Sequence, residues 1–285
     1  MLKTLFVLIL AACLPSGSAV ALTGDGQTGQ FSFSSAAGPG LNVHYFEPGP
    51  DRMDLAPVVI VLHGVNRNAD EYRDNWIALA RDYGLRVYVP EFSAQDFPGS
   101  RLFNLGGVGT DGPYAYSYIE PLFRAIAARG GQADGYHLFG HSAGAQFVHR
   151  AVLFEELPNL VRAYAANAGW YTLPDRTLAW PYGLLDVPLE NAAIVGWVET
   201  PLVVMLGDAD TDPDDRNLRR TTEADAQGLH RFARGLYFHR AGRDAAEALG
   251  ANFAWTRVVV PRVAHDNAGM ARSAAALIAN ATMAE

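Results

Sequence analysis

The chain has 285 residues, 49% of them hydrophobic, a formal net charge of −8 and one cysteine, Cys13. That length suits one sizeable core better than two equal domains. An acidic balance without a basic run argues against a nucleic-acid partner, and a lone cysteine excludes an internal disulfide or a cysteine metal site.

Met1-Leu2-Lys3 is a short positive start, Leu5 to Leu14 is apolar, and Ala19-Val20-Ala21 offers a small-x-small cleavage site. Residues 1–21 therefore read as an export signal, leaving 22–285 as a single secreted or periplasmic domain. The apolar run is too short to span a bilayer as a stable helix. Leu10-Ala11-Ala12-Cys13 also resembles a lipobox. Only lipidation of Cys13 would give the protein a membrane partner.

Phe31 to Ser35 and Leu41 to Phe46 are expected as strands joined through Gly38-Pro39-Gly40. Val58 to Leu62 is the continuous run of a strand buried on both faces. Ala69 to Tyr83 places Tyr72, Trp76, Leu79 and Ala80 along one helical stripe. Leu85 to Val89 is a strand stopped by Pro90, and Gln95 to Tyr116 is glycine-rich and irregular. Ser117 to Arg129 is helical, closed by Gly130-Gly131. Tyr136 to Phe139 reads as a short buried strand, Ala145 to Phe154 as a helix and Val161 to Ala168 as a strand. Trp170 to Thr200 is rich in Pro, Trp and Tyr without clean periodicity, and reads as a lid or elaborated loop. Pro201 to Leu206 is a strand followed by an acidic loop, and Thr221 to Phe238 a helix broken near Gly228 and Gly235. Phe253 to Val260 and Ala268 to Ala279 are the last strand and helix. The alternation predicts an α/β class: a mostly parallel central sheet of about eight strands, helices on both faces, the leading hairpin as antiparallel edge.

Between the fourth-from-last strand and its helix lies Gly140-His141-Ser142-Ala143-Gly144. This is G-x-S-x-G, a sharp strand-to-helix turn that exposes a serine hydroxyl for attack on a carbonyl. A serine nucleophile needs a base, an acid to orient the base, and two N–H groups for the oxyanion. Chain order in this architecture is Ser, acid, His. His265 follows the last strand, where the base belongs. The acid comes from Gly207-Asp208-Ala209-Asp210-Thr211-Asp212: Asp210 is preferred, with Asp208 and Asp212 as alternatives. Alternating Asp208, Asp210 and Asp212 also resemble the start of a calcium loop. Pro213 and Arg219 stand where that loop needs Gly and Glu, so no metal is expected. Ala143 and Val65, the latter in His63-Gly64-Val65-Asn66 after a strand, are the expected oxyanion donors. His63 is expected to brace that loop. Trp170 and Tyr171, in the segment expected over the serine, are candidate substrate contacts. No cofactor is implied.

These motifs, with His63-Gly64-Val65-Asn66-Arg67-Asn68-Ala69 and Gly144-Ala145-Gln146-Phe147, resemble the α/β-hydrolase superfamily over roughly residues 40 to 280. Within it the chain looks most like bacterial secreted esterases grouped with poly(3-hydroxybutyrate) depolymerases and feruloyl esterases. The resemblance implies the α/β-hydrolase fold, a Ser142–Asp210–His265 triad with Val65 and Ala143 at the oxyanion, and cleavage of carboxylic esters. Short-chain, aryl and oligomeric polyester substrates all fit. A family with frequent disulfides and polymer-binding domains differs here on both counts, which favours smaller soluble esters. A serine peptidase or amidase of the same fold, and a catalytically silent binding protein, are the alternatives.

Overall fold

The structure, a computed structural model, describes residues 26–131 and 133–282. The expected export signal and Cys13 lie outside the described residues. In chain order the elements are β1 (Gln27–Ser35), β2 (Gly38–Glu47), β3 (Val58–Leu62), α1 (Ala69–Tyr83), β4 (Arg86–Glu91), α2 (Gly99–Leu102), α3 (Ile119–Ala128) and β5 (Tyr136–His141). There follow α4 (Ala143–Phe154), β6 (Leu160–Ala166), α5 (Asn191–Glu199), β7 (Leu202–Gly207), α6 (Thr222–Gln227), α7 (Arg231–Leu249), β8 (Thr256–Val260) and α8 (Asn267–Thr282). The strands form one sheet in the order β1-β2-β4-β3-β5-β6-β7-β8. The β1–β2 and β2–β4 pairs are antiparallel and the others parallel.

Side chains alternate across each strand, so a sheet covered on both faces divides its apolar residues between two cores. Val58, Ile60 and Leu62 of β3 join the core under α3, α4, α5 and α7, with Phe147, Trp197 and Phe238. Val59 and Val61 join the opposite core under α1 and α8, with Trp76, Met270 and Ile278. Strand β7 divides likewise, Leu206 on the first side and Met205 on the second. Burial of a large apolar side chain contributes about 2 kcal/mol, so these two layers fix the strand register.

Three expectations on chain organisation are corrected. The hairpin turns at Ala36-Ala37, and Gly38-Pro39-Gly40 begins β2. That register sets Phe33 opposite Leu41 and buries both, which a later turn would not. The irregular 170–200 segment contains α5, where Ile194, Trp197 and Val198 share one buried helical stripe. Finally, Gly228 breaks the helix after β7 but Gly235 does not. A Cβ at Gly235 would lie 2.1 Å from Leu206 Cδ2. The glycine lets α7 approach β7 closely and does not interrupt it.

Candidate active site

Strand β5 ends at His141 and α4 starts at Ala143, so Ser142 alone makes the turn, at φ 58° and ψ −115°. A non-glycine residue there is strained by about 1–3 kcal/mol and persists only where its surroundings impose it. Two backbone approaches impose it. A Cβ at Gly140 would lie 2.3 Å from the Gly144 carbonyl, and one at Gly144 would lie 2.1 Å from the Leu62 carbonyl oxygen. The Ser142 N–H donates to Ala166 O at 3.0 Å, tying the turn to the end of β6.

His265, between β8 and α8, places Nε2 3.0 Å from Ser142 Oγ and Nδ1 2.8 Å from Asp210 Oδ2. An ionised carboxylate only accepts, so Nδ1 carries the hydrogen and Nε2 is left to accept from the hydroxyl. Asp210 is 3% exposed and its other oxygen lies 3.4 Å from Arg231 Nη1; Arg231 is 1% exposed. Arg231 Nη2 reaches Asp215 Oδ1 at 3.0 Å. That hydrogen bond is the main reason the Asp215 carboxyl sits below its usual range. The other acidic candidates have separate tasks. Asp208 Oδ1 accepts from the Arg262 N–H, and Asp212 Oδ1 from the Asp214 N–H. The three carboxylates of the calcium-like pattern therefore point to different partners.

The loop after β3 approaches the serine: a Cβ on Gly64 would lie 4.0 Å from Ser142 Cβ. Among the described residues no backbone carbonyl accepts the Val65 N–H. Ala143 is the first residue of α4, whose N–H has no partner within its helix. His63 accepts the Phe92 N–H on Nε2 at 3.0 Å, which leaves Nδ1 to donate to Gly64 O at 3.0 Å. Its ring is fully buried, and burial lowers its pKa to about 4. It spans the β3 and β4 loops as a neutral brace.

Four supporting residues escaped sequence reasoning. The Tyr72 hydroxyl lies 3.2 Å from His141 Nδ1 and bonds the Gly64 backbone. The buried His141 ring lies against His265, centroids 4.6 Å apart. Burial, then the charges of His265 and Arg231, hold His141 well below the usual histidine range, so it is a neutral neighbour. Asn167, at φ 49°, donates Nδ2 to Ala264 O at 2.9 Å and accepts the Gly207 N–H at 2.8 Å, joining the loops that carry His265 and Asp210. Arg231 completes the set. Only Asn167 carried a local signal, as a residue tolerant of left-handed backbone just past a strand.

The two aromatic candidates have different surroundings. Tyr171 is fully buried and stacks on Phe238 of α7, centroids 4.4 Å apart, so it packs in the core. The Trp170 ring is 3% exposed and lies near the Arg150 and Arg219 guanidinium groups, 4.4 and 5.1 Å from its centre. Trp180 packs against Phe154, the last residue of α4, roughly 18 Å along the helix from the serine.

An eight-stranded, mostly parallel sheet carrying a serine elbow, with histidine and aspartate delivered by the last two strand ends, defines an α/β-hydrolase. The chain belongs to the α/β-hydrolase superfamily. It is similar to poly(aspartic acid) hydrolase-1 from Sphingomonas sp. KT-1, at 42% identity, 88% of this chain and 98% of that one covered, TM-score 0.84. It is also similar to LpqC, a poly(3-hydroxybutyrate) depolymerase from Bordetella parapertussis, at 32% identity over 90% of each chain, TM-score 0.83. An S-formylglutathione hydrolase from Agrobacterium tumefaciens shares the fold alone, at 19% identity, 91% and 95% coverage and TM-score 0.59. No protein-family model and no curated protein sequence matches the chain.

Proposed function

We propose that the chain is an exported serine hydrolase that cleaves carboxylic esters through an acyl-enzyme on Ser142. The reading rests on the continuous hydrogen-bonded series from Asp210 through His265 to Ser142 Oγ. His265 takes the hydroxyl proton as Ser142 attacks the ester carbonyl, and Asp210 holds the imidazole tautomer and stabilises its cation. The Val65 and Ala143 N–H groups receive the oxyanion. The alcohol leaves with the proton from His265. Water, deprotonated by the same nitrogen, then attacks the acyl-enzyme and frees Ser142. Export through residues 1–21 rests on the sequence pattern alone, and the segment 170–200 acts as a fixed wall because its aromatic residues are packed.

Amide cleavage is the second reading. The poly(aspartic acid) hydrolase similarity favours it, since that polymer is a polyamide and the identity is 42%. Fluorophosphonate labelling of wild type and Ser142→Ala, with hydrolysis of matched p-nitrophenyl esters and p-nitroanilides, tests both. Label and turnover should both vanish in the variant, with turnover falling at least ~10⁴-fold. An unlabelled, folded wild-type protein would refute the nucleophile, and anilides cleaved faster than esters would establish the second reading.

A further inference from the structure

Arg150, on α4, is fully buried, yet every partner it has is neutral: Thr172 Oγ1 at 2.7 Å, Asn104 O at 3.1 Å and Gln146 O at 3.0 Å. Its Nη2 has no partner at all. A buried cation without a carboxylate is costly, and ordinarily such groups are paired. The neighbouring Arg220, Arg231 and Arg234 are each paired with an aspartate. A structural staple needs only the neutral bonds of Arg150. It does not account for a second guanidinium nearby.

That second guanidinium is Arg219, in the connection after β7. It lies over the Trp170 and Tyr182 rings, 5.1 and 5.6 Å from their centres, and donates Nε to the Tyr182 hydroxyl. Among the described residues it too has no acidic partner, and its Nη1 and Nη2 make no hydrogen bond. The Trp170 ring thus has two like charges within about 5 Å of its centre, in a chain whose net charge is −8. Burial, and to a lesser degree Arg219, lowers the Arg150 guanidinium to about 10, which leaves it charged at neutral pH. An anion resting on Arg219 would relieve the repulsion and complete the hydrogen bonding of an exposed fork shaped for carboxylate.

The place fits a substrate. Trp170 lies on the connection after β6 and Arg219 on the one after β7, next to the strand ends of β5, β7 and β8 that carry Ser142, Asp210 and His265. A Cβ at Gly169 would lie 2.9 Å from the Gln146 side chain, and Gln146 N–H bonds to Ser142 O, one turn into α4. Four residues of helix rise about 6 Å, so a group on Arg219 and a scissile carbonyl on Ser142 can belong to one small molecule.

We propose that Arg219 on Trp170, with Arg150 near the same ring, is a carboxylate-binding subsite, and that the preferred substrates carry a free carboxylate several bonds from the scissile carbonyl. This rests on the serine-hydrolase reading and adds its substrate class. Mono-p-nitrophenyl adipate and suberate, set against neutral p-nitrophenyl hexanoate and octanoate, test it. Wild type should favour the anionic esters by about tenfold or more in kcat/KM, as expected for a charge-assisted bond. Added salt should weaken that preference. Arg219→Gln should lower the anionic-to-neutral ratio about tenfold, Arg219→Lys should retain part of it, and Arg219→Glu should invert it. A wild-type ratio near one, or a ratio unmoved by Arg219→Glu, overturns the subsite. Should neither ester class be cleaved, the Ser142 reading fails, and calorimetric binding of monomethyl adipate to the Ser142→Ala protein decides the subsite separately. Binding abolished by Arg219→Glu upholds it; binding absent, or indifferent to that change, overturns it.

Discussion

Acidification below about pH 6.5 should destabilise this protein through its buried histidines. His63 and His137 are buried, and burial is the main cause that lowers each from 6.5 to about 4. The folded state therefore keeps both rings neutral while the unfolded chain takes up protons below about pH 6.5. Stability is intact above that pH and is lost as pH falls toward 4. At 1.36 kcal/mol per unit, each ring costs roughly 2 kcal/mol at pH 5 and about 3 kcal/mol once pH has passed 4. Two rings remove about 4 kcal/mol at pH 5, a large share of the 5–15 kcal/mol typical of a domain. His141 and His149, also lowered well below the usual range by burial, act in the same direction. Urea unfolding followed by tryptophan fluorescence at pH 7.5, 6.5, 5.5 and 5.0 measures the slope. His137→Leu isolates one contribution. His137 Nδ1 is buried without a partner, so an apolar residue of similar size should be near neutral at pH 7.5. It should recover about 2 kcal/mol of the loss at pH 5. An unfolding free energy that changes by less than about 1 kcal/mol between pH 7.5 and 5 would refute the assignment of these rings as neutral.

Other expectations follow from single contacts. Arg231→Met leaves Asp210 buried beside no cation, and should cost about 3–5 kcal/mol by urea denaturation, with turnover falling as Asp210 loses its orientation. A cost below 1 kcal/mol would mean that the pair is solvated. Gly144→Ala forces a Cβ to 2.1 Å from the Leu62 carbonyl oxygen, a contact with no flexible end to yield. It should abolish activity and destabilise by about 3 kcal/mol or more, and an active, stable variant would contradict the elbow geometry. Tyr72→Phe removes the hydroxyl shared by Gly64 and His141. It should lower kcat about tenfold with KM little changed, because an oxyanion loop out of place is felt in the transition state. An equal rise in KM would instead assign Tyr72 to substrate binding.

What could be read in the sequence follows from how local each signal is. The run Val58 to Leu62 and the stripe Tyr72–Trp76–Ala80 gave the bounds of β3 and α1 because their patterns are complete within the element itself. Helix α5 was hidden because Gly196 and the Pro- and Trp-rich approach mask a stripe of only three buried residues. Gly235 misled because a glycine inside a helix reads as weakness unless the facing strand is known, and Leu206 is 29 positions away. The hairpin turn was misplaced because Gly-Pro-Gly is a strong local signal, whereas the pairing of Phe33 with Leu41 is decided by the core beneath.

The site divides along the same line. Ser142, Asp210 and His265 stand at strand ends, and a parallel sheet brings successive strand ends to one edge, so their order along the chain carried spatial information. The Tyr72–His141, Asn167–Gly207 and Asn167–Ala264 hydrogen bonds join residues 69, 40 and 97 positions apart, and no sequence period connects them. The aromatic pair shows the limit most clearly. Trp170 and Tyr171 were correctly placed on the connection after β6, but adjacent residues on an extended segment point to opposite sides. Tyr171 therefore fell to α7 and the core, and Trp170 to the two arginines. An arginine in a sequence looks solvated by default, and Arg150 and Arg219 are 69 positions apart. Only the fold brings both to one ring, with no acidic partner for either among the described residues, which is why the proposed carboxylate subsite has no local signature in the sequence.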